Sequence, residues 1–254
     1  MKIHGLQKMT LLDYPGHVAC TVFLGGCDLR CPYCHNYELA TGAVEPVMEE
    51  EEFFAFLKKR TGLLDGVAIT GGEPCLHRDL PVFMRRIREM GFSVKLDTNG
   101  THPAVLREIL DERLADYVAM DIKNSPAKYA LTAGLTGNSG APAAGAVGRS
   151  DMLSEGPGGE PVFLAAIRES IALIMHSGID YEFRTTVVDE MHETDDFEEI
   201  GKMIEGAKRY FLQCFTDRET VPFSGLSAPS KEKLEACAAR ISGHVESVQI
   251  RGVD

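Results

Sequence analysis

Residues 18–36, VACTVFLGGCDLRCPYCHN, run an apolar, β-branched segment straight into a loop that carries Cys27, Cys31 and Cys34. The segment 18–24 predicts a strand. Three thiols on one compact loop, with three residues and then two between them, can converge on a single inorganic centre. Outward from this stretch the same kind of run recurs at 67–70, 93–97, 117–122, 182–188 and 210–213, with a further candidate at 245–250. Helical spacing fills the intervals at 51–60, 80–90, 104–113, 162–176, 196–208 and 231–241. Strand then helix, repeated about six times, predicts an α/β fold with a parallel sheet and right-handed crossovers.

The chain has 254 residues, 44% hydrophobic and 25% charged, a profile expected of one domain spanning 1–254. A closed eight-fold barrel takes about 250 residues, and the stretch 132–161, rich in Gly, Ala, Ser and Pro, contributes little to one. A partial (β/α)6 barrel with a loop insertion at about 132–161 is therefore expected. The formal charge of −12 argues against nucleic acid and anionic lipid as partners. The first residues lack the apolar run of a secretory signal and no run is long enough to cross a bilayer, so a cytoplasmic location is expected. Seven cysteines, an odd number, favour metal-binding or reactive thiols over a disulfide framework. The glutamates Glu49 to Glu52 read as the negatively charged start of a helix.

Zinc is one candidate for the cysteine loop, but a structural zinc takes four ligands, usually from two separated pairs, and no second pair exists. His35 adjoins Cys34 and Cys20 lies inside the strand, so both are poorly placed as a fourth ligand. Four irons held by three thiolates would leave one iron open to a ligand.

Polar groups cluster after the other strands. Thr70-Gly71-Gly72-Glu73-Pro74 follows the second, where glycines allow close backbone approach and a carboxylate can pair with a cation. Asp97-Thr98-Asn99-Gly100 follows the third, and Asp121-Ile122-Lys123 ends the fourth. Alternation places Asp121 and Lys123 on one side, at the face where barrel enzymes keep their sites, and a simple ion pair between them is the plainer alternative. Asp97, Thr98 and Asp121 could instead surround a small hard cation. Arg184 suits a bidentate clamp on a carboxylate, or a salt bridge across the barrel. Cys20, Cys75 and Cys237 read as small buried hydrophobes.

The C-x3-C-x2-C spacing with Tyr33 before the last cysteine resembles the cluster motif of the radical S-adenosylmethionine family. That resemblance implies a 4Fe–4S cluster on Cys27, Cys31 and Cys34 whose open iron takes S-adenosylmethionine, and one-electron cleavage to a 5′-deoxyadenosyl radical. Residues 70–74 are similar to the family's GGE motif, implying that Glu73 and its turn hold the methionine ammonium. In glycyl-radical activating enzymes the equivalents of Asp121 and Lys123 contact the cofactor's ribose and carboxylate. The implied cofactor-binding set is Tyr33, His35, Gly71, Gly72, Glu73, Asp97, Asn99, Asp121, Lys123 and Arg184. Residues 5–36 resemble activators of anaerobic ribonucleoside-triphosphate reductase, implying that glycyl-radical enzyme as partner and flavodoxin or ferredoxin as reductant. Activation of pyruvate formate-lyase, a small-molecule substrate, or a zinc-binding interaction module are the alternatives. Cys214 and Thr216 depart from the family's usual sixth strand.

Overall fold

A computed structural model describes residues 1–136, 149–156 and 158–253. The chain runs through β1 (Lys2–Ile3), β2 (Gly5–Thr10), β3 (Ala19–Leu24), α1 (Tyr37–Thr41), β4 (Met48–Glu49), α2 (Glu50–Lys58), β5 (Gly66–Gly71), α3 (Leu80–Glu89), β6 (Ser93–Thr98) and α4 (Pro103–Asp111). It continues through β7 (Tyr117–Asp121), α5 (Pro126–Thr132), α6 (Arg149–Leu153), α7 (Val162–His176), β8 (Asp180–Val187), α8 (Asp196–Met203), β9 (Tyr210–Cys214), α9 (Lys231–Ile241) and β10 (Val248–Arg251). Of the expected insertion at 132–161, residues 137–148 and 157 lie outside the described residues, and α6 lies within the rest.

Eight strands form one sheet in the order β10-β9-β8-β7-β6-β5-β3-β2. All neighbours are parallel except β2, which runs antiparallel to β3. Tertiary packing explains the apolar runs: Val67, Ala68 and Ile69 of β5 are all buried, as expected for strands covered on both faces. The sheet wraps. Ala19 of β3 and Ala119 of β7 lie three strands apart, about 14 Å across a flat sheet, yet share one buried cluster with Tyr14 and Tyr117. The two edges, β2 and β10, are not paired with each other, so the wall stays open and the architecture is a partial barrel.

At the end of the barrel marked by the strand N-termini, Tyr14 stacks on His17 and packs at 6.3 Å from Tyr117, filling the floor. The strand C-termini face the other way, where the cysteine loop sits. Helices cover the outside: α4 packs on α7, α8 on α9, and α3 on β6. The glutamate run does open α2, with Glu49 and Glu52 forming a reciprocal capping box. Among the described residues no helix is long and apolar enough to cross a membrane.

Candidate active site

The loop after β3 is held mainly by bonds onto backbone carbonyls, and of its sulfurs Cys27 Sγ also accepts from Leu29 N–H and Asn99 Nδ2. Arg30, only 5% exposed, donates from Nη1 to the carbonyls of Cys27 (2.5 Å) and Leu29 (2.7 Å). Its own N–H donates to the Ala133 carbonyl, and Gly26 N–H donates to Leu39. Asn36 Nδ2 donates to the Gly71 carbonyl at 2.9 Å. His35 Nε2 donates to the Thr216 carbonyl at 2.7 Å, and its ring lies near parallel to Phe215. His35 is thereby turned to the end of β9 and braces the loop.

The Gly71-Gly72 turn has a definite steric cause. Gly71 has φ +127°, and a Cβ there would lie 2.2 Å from the Leu24 carbonyl oxygen. A Cβ on Gly72 would lie 1.9 Å from the Gly26 carbonyl oxygen. Gly72 N–H donates to Leu24 and Glu73 N–H to Gly26, so the turn after β5 is hydrogen-bonded flat against the cysteine loop. Here the glycines bring two pieces of protein backbone together.

Glu73 is fully buried and is not itself part of the cleft lining. Its carboxylate accepts from Cys75 N–H (2.9 Å), Thr98 Oγ1 (2.7 Å) and Asn99 N–H (2.6 Å), tying β5 to the end of β6. Burial, with the nearby Asp28 charge, pushes its pKa up to about 7. The other members of the expected set do line one cleft: the three cysteines, Tyr33, His35, Gly71, Gly72, Asp97, Asn99, Asp121, Lys123 and Arg184. The cleft offers a cavity volume of about 170 Å³.

On the inner face of β6, β7 and β8 charges alternate in a continuous row. Lys95 bonds Asp97, Asp97 meets Arg184 Nη2 at 3.3 Å, Arg184 Nε donates to Asp121 at 2.5 Å, and Lys123 Nζ donates to Asp121 at 2.9 Å. Both of the plainer alternatives, the Asp121–Lys123 pair and the cross-barrel Arg184 bridge, are therefore present in the cleft wall itself. Burial alone would raise the Asp121 pKa, but Arg184 and Lys123 hold it well below the carboxylate range. Burial likewise opposes the Lys123 charge, and Asp121 more than restores it. Of this row Asp97, Asp121, Lys123 and Arg184 line the cleft, two charges of each sign, with Lys95 buried behind them.

Burial raises all three cysteine pKa values, Cys31 to about 11, so a metal centre here has to displace protons to bind. Cys20, Cys75 and Cys237 are buried in the core. Cys214 is half-buried, its thiol directed to the Phe215 carbonyl. Tyr33 is buried, and its hydroxyl meets no partner among the described residues. A buried hydroxyl without a partner marks a place where another group belongs.

Several residues carry no signal that singles them out in the sequence. Lys95 is the exception, since it stands two residues before Asp97 and the strand period puts both on one face. Arg30, Asn36, Asp28 and His102 act through backbone carbonyls or each other. Asp28 Oδ2 lies 3.4 Å from His102 Nε2. Burial disfavours the Asp28 charge, yet the adjacent His102 and the hydrogen bond from Asn99 hold its pKa below the ordinary value.

A family model described as the radical SAM superfamily matches residues 21–136. A putative glycyl-radical enzyme activating enzyme of Methanocaldococcus jannaschii is 29% identical over 257 residues, covering 99% of this chain and 96% of that protein. A pyruvate formate-lyase-activating enzyme of Clostridium pasteurianum is 33% identical over 128 residues, 48% of this chain and 52% of the relative. The crystal structure of Streptococcus suis SuiB bound to S-adenosylmethionine matches with a TM-score of 0.61 at 10% identity, over 91% of this chain and 52% of that one. At that identity the likeness concerns the fold.

Proposed function

Because this chain belongs to the radical S-adenosylmethionine superfamily, we propose that it is an activase that generates a glycyl radical on a partner enzyme, most specifically anaerobic ribonucleoside-triphosphate reductase. The family's cofactors are a 4Fe–4S cluster and S-adenosylmethionine. The residues present fit both: three thiols on one loop line the cleft, among the described residues no three His, Cys, Asp or Glu side chains gather to hold a single metal ion instead, and the cleft is polar, with charges of both signs, next to the unpartnered Tyr33 hydroxyl. When bound, the two cofactors together supply a 5′-deoxyadenosyl radical able to take a hydrogen atom from a glycine Cα.

The chain's own groups bind, orient and shield. Cys27, Cys31 and Cys34 would hold the cluster. Lys123 and Arg184 present positive charge to a carboxylate, and Asp121, kept ionised between them, presents an acceptor to hydroxyl groups. Thr70 and the Gly71-Gly72 backbone form the wall beside the cysteine loop, which limits water there. No side chain is required to move a proton.

The observation that carries the activase reading is likeness to the archaeal activating enzyme along nearly its whole length. Likeness to the pyruvate formate-lyase activator, over about half of that protein, supports the other partner as the competing choice. The test is anaerobic reconstitution with iron and sulfide, then S-adenosylmethionine, dithionite and each candidate partner in turn. A glycyl-radical doublet in the electron paramagnetic resonance spectrum of the reductase, absent with Cys27→Ala, Cys31→Ala or Cys34→Ala, is the expected result. A doublet on pyruvate formate-lyase alone would reassign the partner. Deoxyadenosine formed with no radical on either partner would reject the activase reading.

A further inference from the structure

Asn99 bonds two groups, Asp28 and Cys27, that repel once both carry negative charge. Its Nδ2 donates to Asp28 Oδ1 at 3.0 Å and to Cys27 Sγ at 3.7 Å, one hydrogen of the amide for each. The amide's orientation follows from its other end. Thr101 N–H (2.9 Å) and Thr101 Oγ1 (2.6 Å) both donate to Asn99 Oδ1, so the nitrogen has to face the cysteine. Asn99 is 5% exposed, and its own N–H is fixed on Glu73, which is also buried. The Cys27 thiol stands 3.8 Å from Asp28 Oδ1, to which it donates while protonated. Once Cys27 is a metal-bound thiolate that bond is gone, and a carboxylate and a thiolate face each other in a dry site. The NH2 group of Asn99 bridges the two from one side, and the Leu29 N–H donates to the same sulfur at 3.4 Å.

We infer that Asn99 is a positioning residue that sets the reduction potential of the cluster, by donating to the Cys27 sulfur and offsetting the Asp28 charge through a second bond from the same amide. Hydrogen bonds to a cluster's sulfurs stabilise its reduced, more negative state and raise its potential. A nearby uncompensated carboxylate acts the other way. The arrangement allows Asp28 to remain charged beside the cysteine loop, where it anchors His102 at the start of α4, without making the cluster harder to reduce.

This inference rests on the cluster and not on the identity of the radical's recipient. The experiment is redox potentiometry with dithionite as the one-electron donor on the full reconstituted protein, read by electron paramagnetic resonance, comparing wild type with Asn99→Ala. The expected result is a lower midpoint, with the ratio of reduced to oxidised cluster at a fixed potential falling about tenfold, or about 59 mV for one electron. Iron content per chain should be unchanged. Should Asn99→Ala fail to fold, Asn99→Ser, which keeps an acceptor for the Thr101 N–H, carries the same test. An unmoved midpoint at full iron content overturns the inference, because a purely structural asparagine would change loading and leave the potential of loaded molecules alone. A wild-type protein that assembles no cluster would instead reject the cofactor reading itself.

Discussion

At the scale of single residues the least ordinary group is Glu73. Three donors converge on its carboxylate, yet burial and the Asp28 charge raise its pKa from 4.5 to about 7. Between those values the folded protein keeps a proton that the unfolded chain has released. Folding stability should therefore decline as pH rises from about 5 to about 7 on account of this group. Glu73→Gln removes the titration and should flatten that decline in urea midpoints measured across the range. It should also lower stability by about 1–3 kcal/mol at any pH, because the side-chain NH2 then faces the Asn99 N–H or another donor with nothing to accept. An unchanged pH profile would place the proton elsewhere. Asp121 is the opposite case, a carboxylate held ionised by two cations.

At the scale of elements, the junction of β3 with β5 decides whether the cysteine loop has a shape. A methyl group on Gly72 has nowhere to go but into the Gly26 carbonyl, so Gly72→Ala should push the turn off the loop. The expected cost is about 1–3 kcal/mol, read by denaturation, together with a marked drop in iron bound per chain. Normal iron uptake would show that the loop adjusts independently. The long elements are legible from apolar spacing alone: α7 and α9 occupy 162–176 and 231–241 as expected, and the strand expected at 245–250 appears as β10, Val248–Arg251. Helix 196–208 stops at Met203, because the chain turns through Gly206 at φ +81° to bridge Ala207 to Val245. β2 is not legible in this way. Its residues Gln7, Lys8 and Met9 are all exposed, so no apolar face marks the strand. The site is legible where chemistry depends on residue type, at the cysteines, Asp121, Lys123 and Arg184. It is illegible where side chains bond to backbone, as with Asn36 at Gly71, because any residue supplies a carbonyl. The direction of Glu73 is hidden for the same reason: which way a carboxylate turns depends on donors 25 residues away.

At the scale of the whole molecule the curl of the wall is fastened at its far edge. Arg251 of β10 reaches across β9, over the Phe211 ring at 3.3 Å, to bond both oxygens of Glu182 on β8 at 2.9 and 3.0 Å. Glu182 also accepts from Tyr117 on β7 and is 1% exposed. Arg251→Met leaves that carboxylate buried with only Tyr117 beside it. The expected loss is about 3 kcal/mol, the low end for a broken buried pair because the guanidinium reaches water. It should appear as a lower denaturation midpoint, and a change within experimental error would mean that β10 is not fastened by this pair. The bonds from Arg30, Asn36, His35 and Glu73 that shape the thiol-bearing loop all end on oxygen atoms of the backbone. A molecule stripped by air should thus keep its vessel whole, and fresh iron and sulfide should refurbish it without a new round of synthesis.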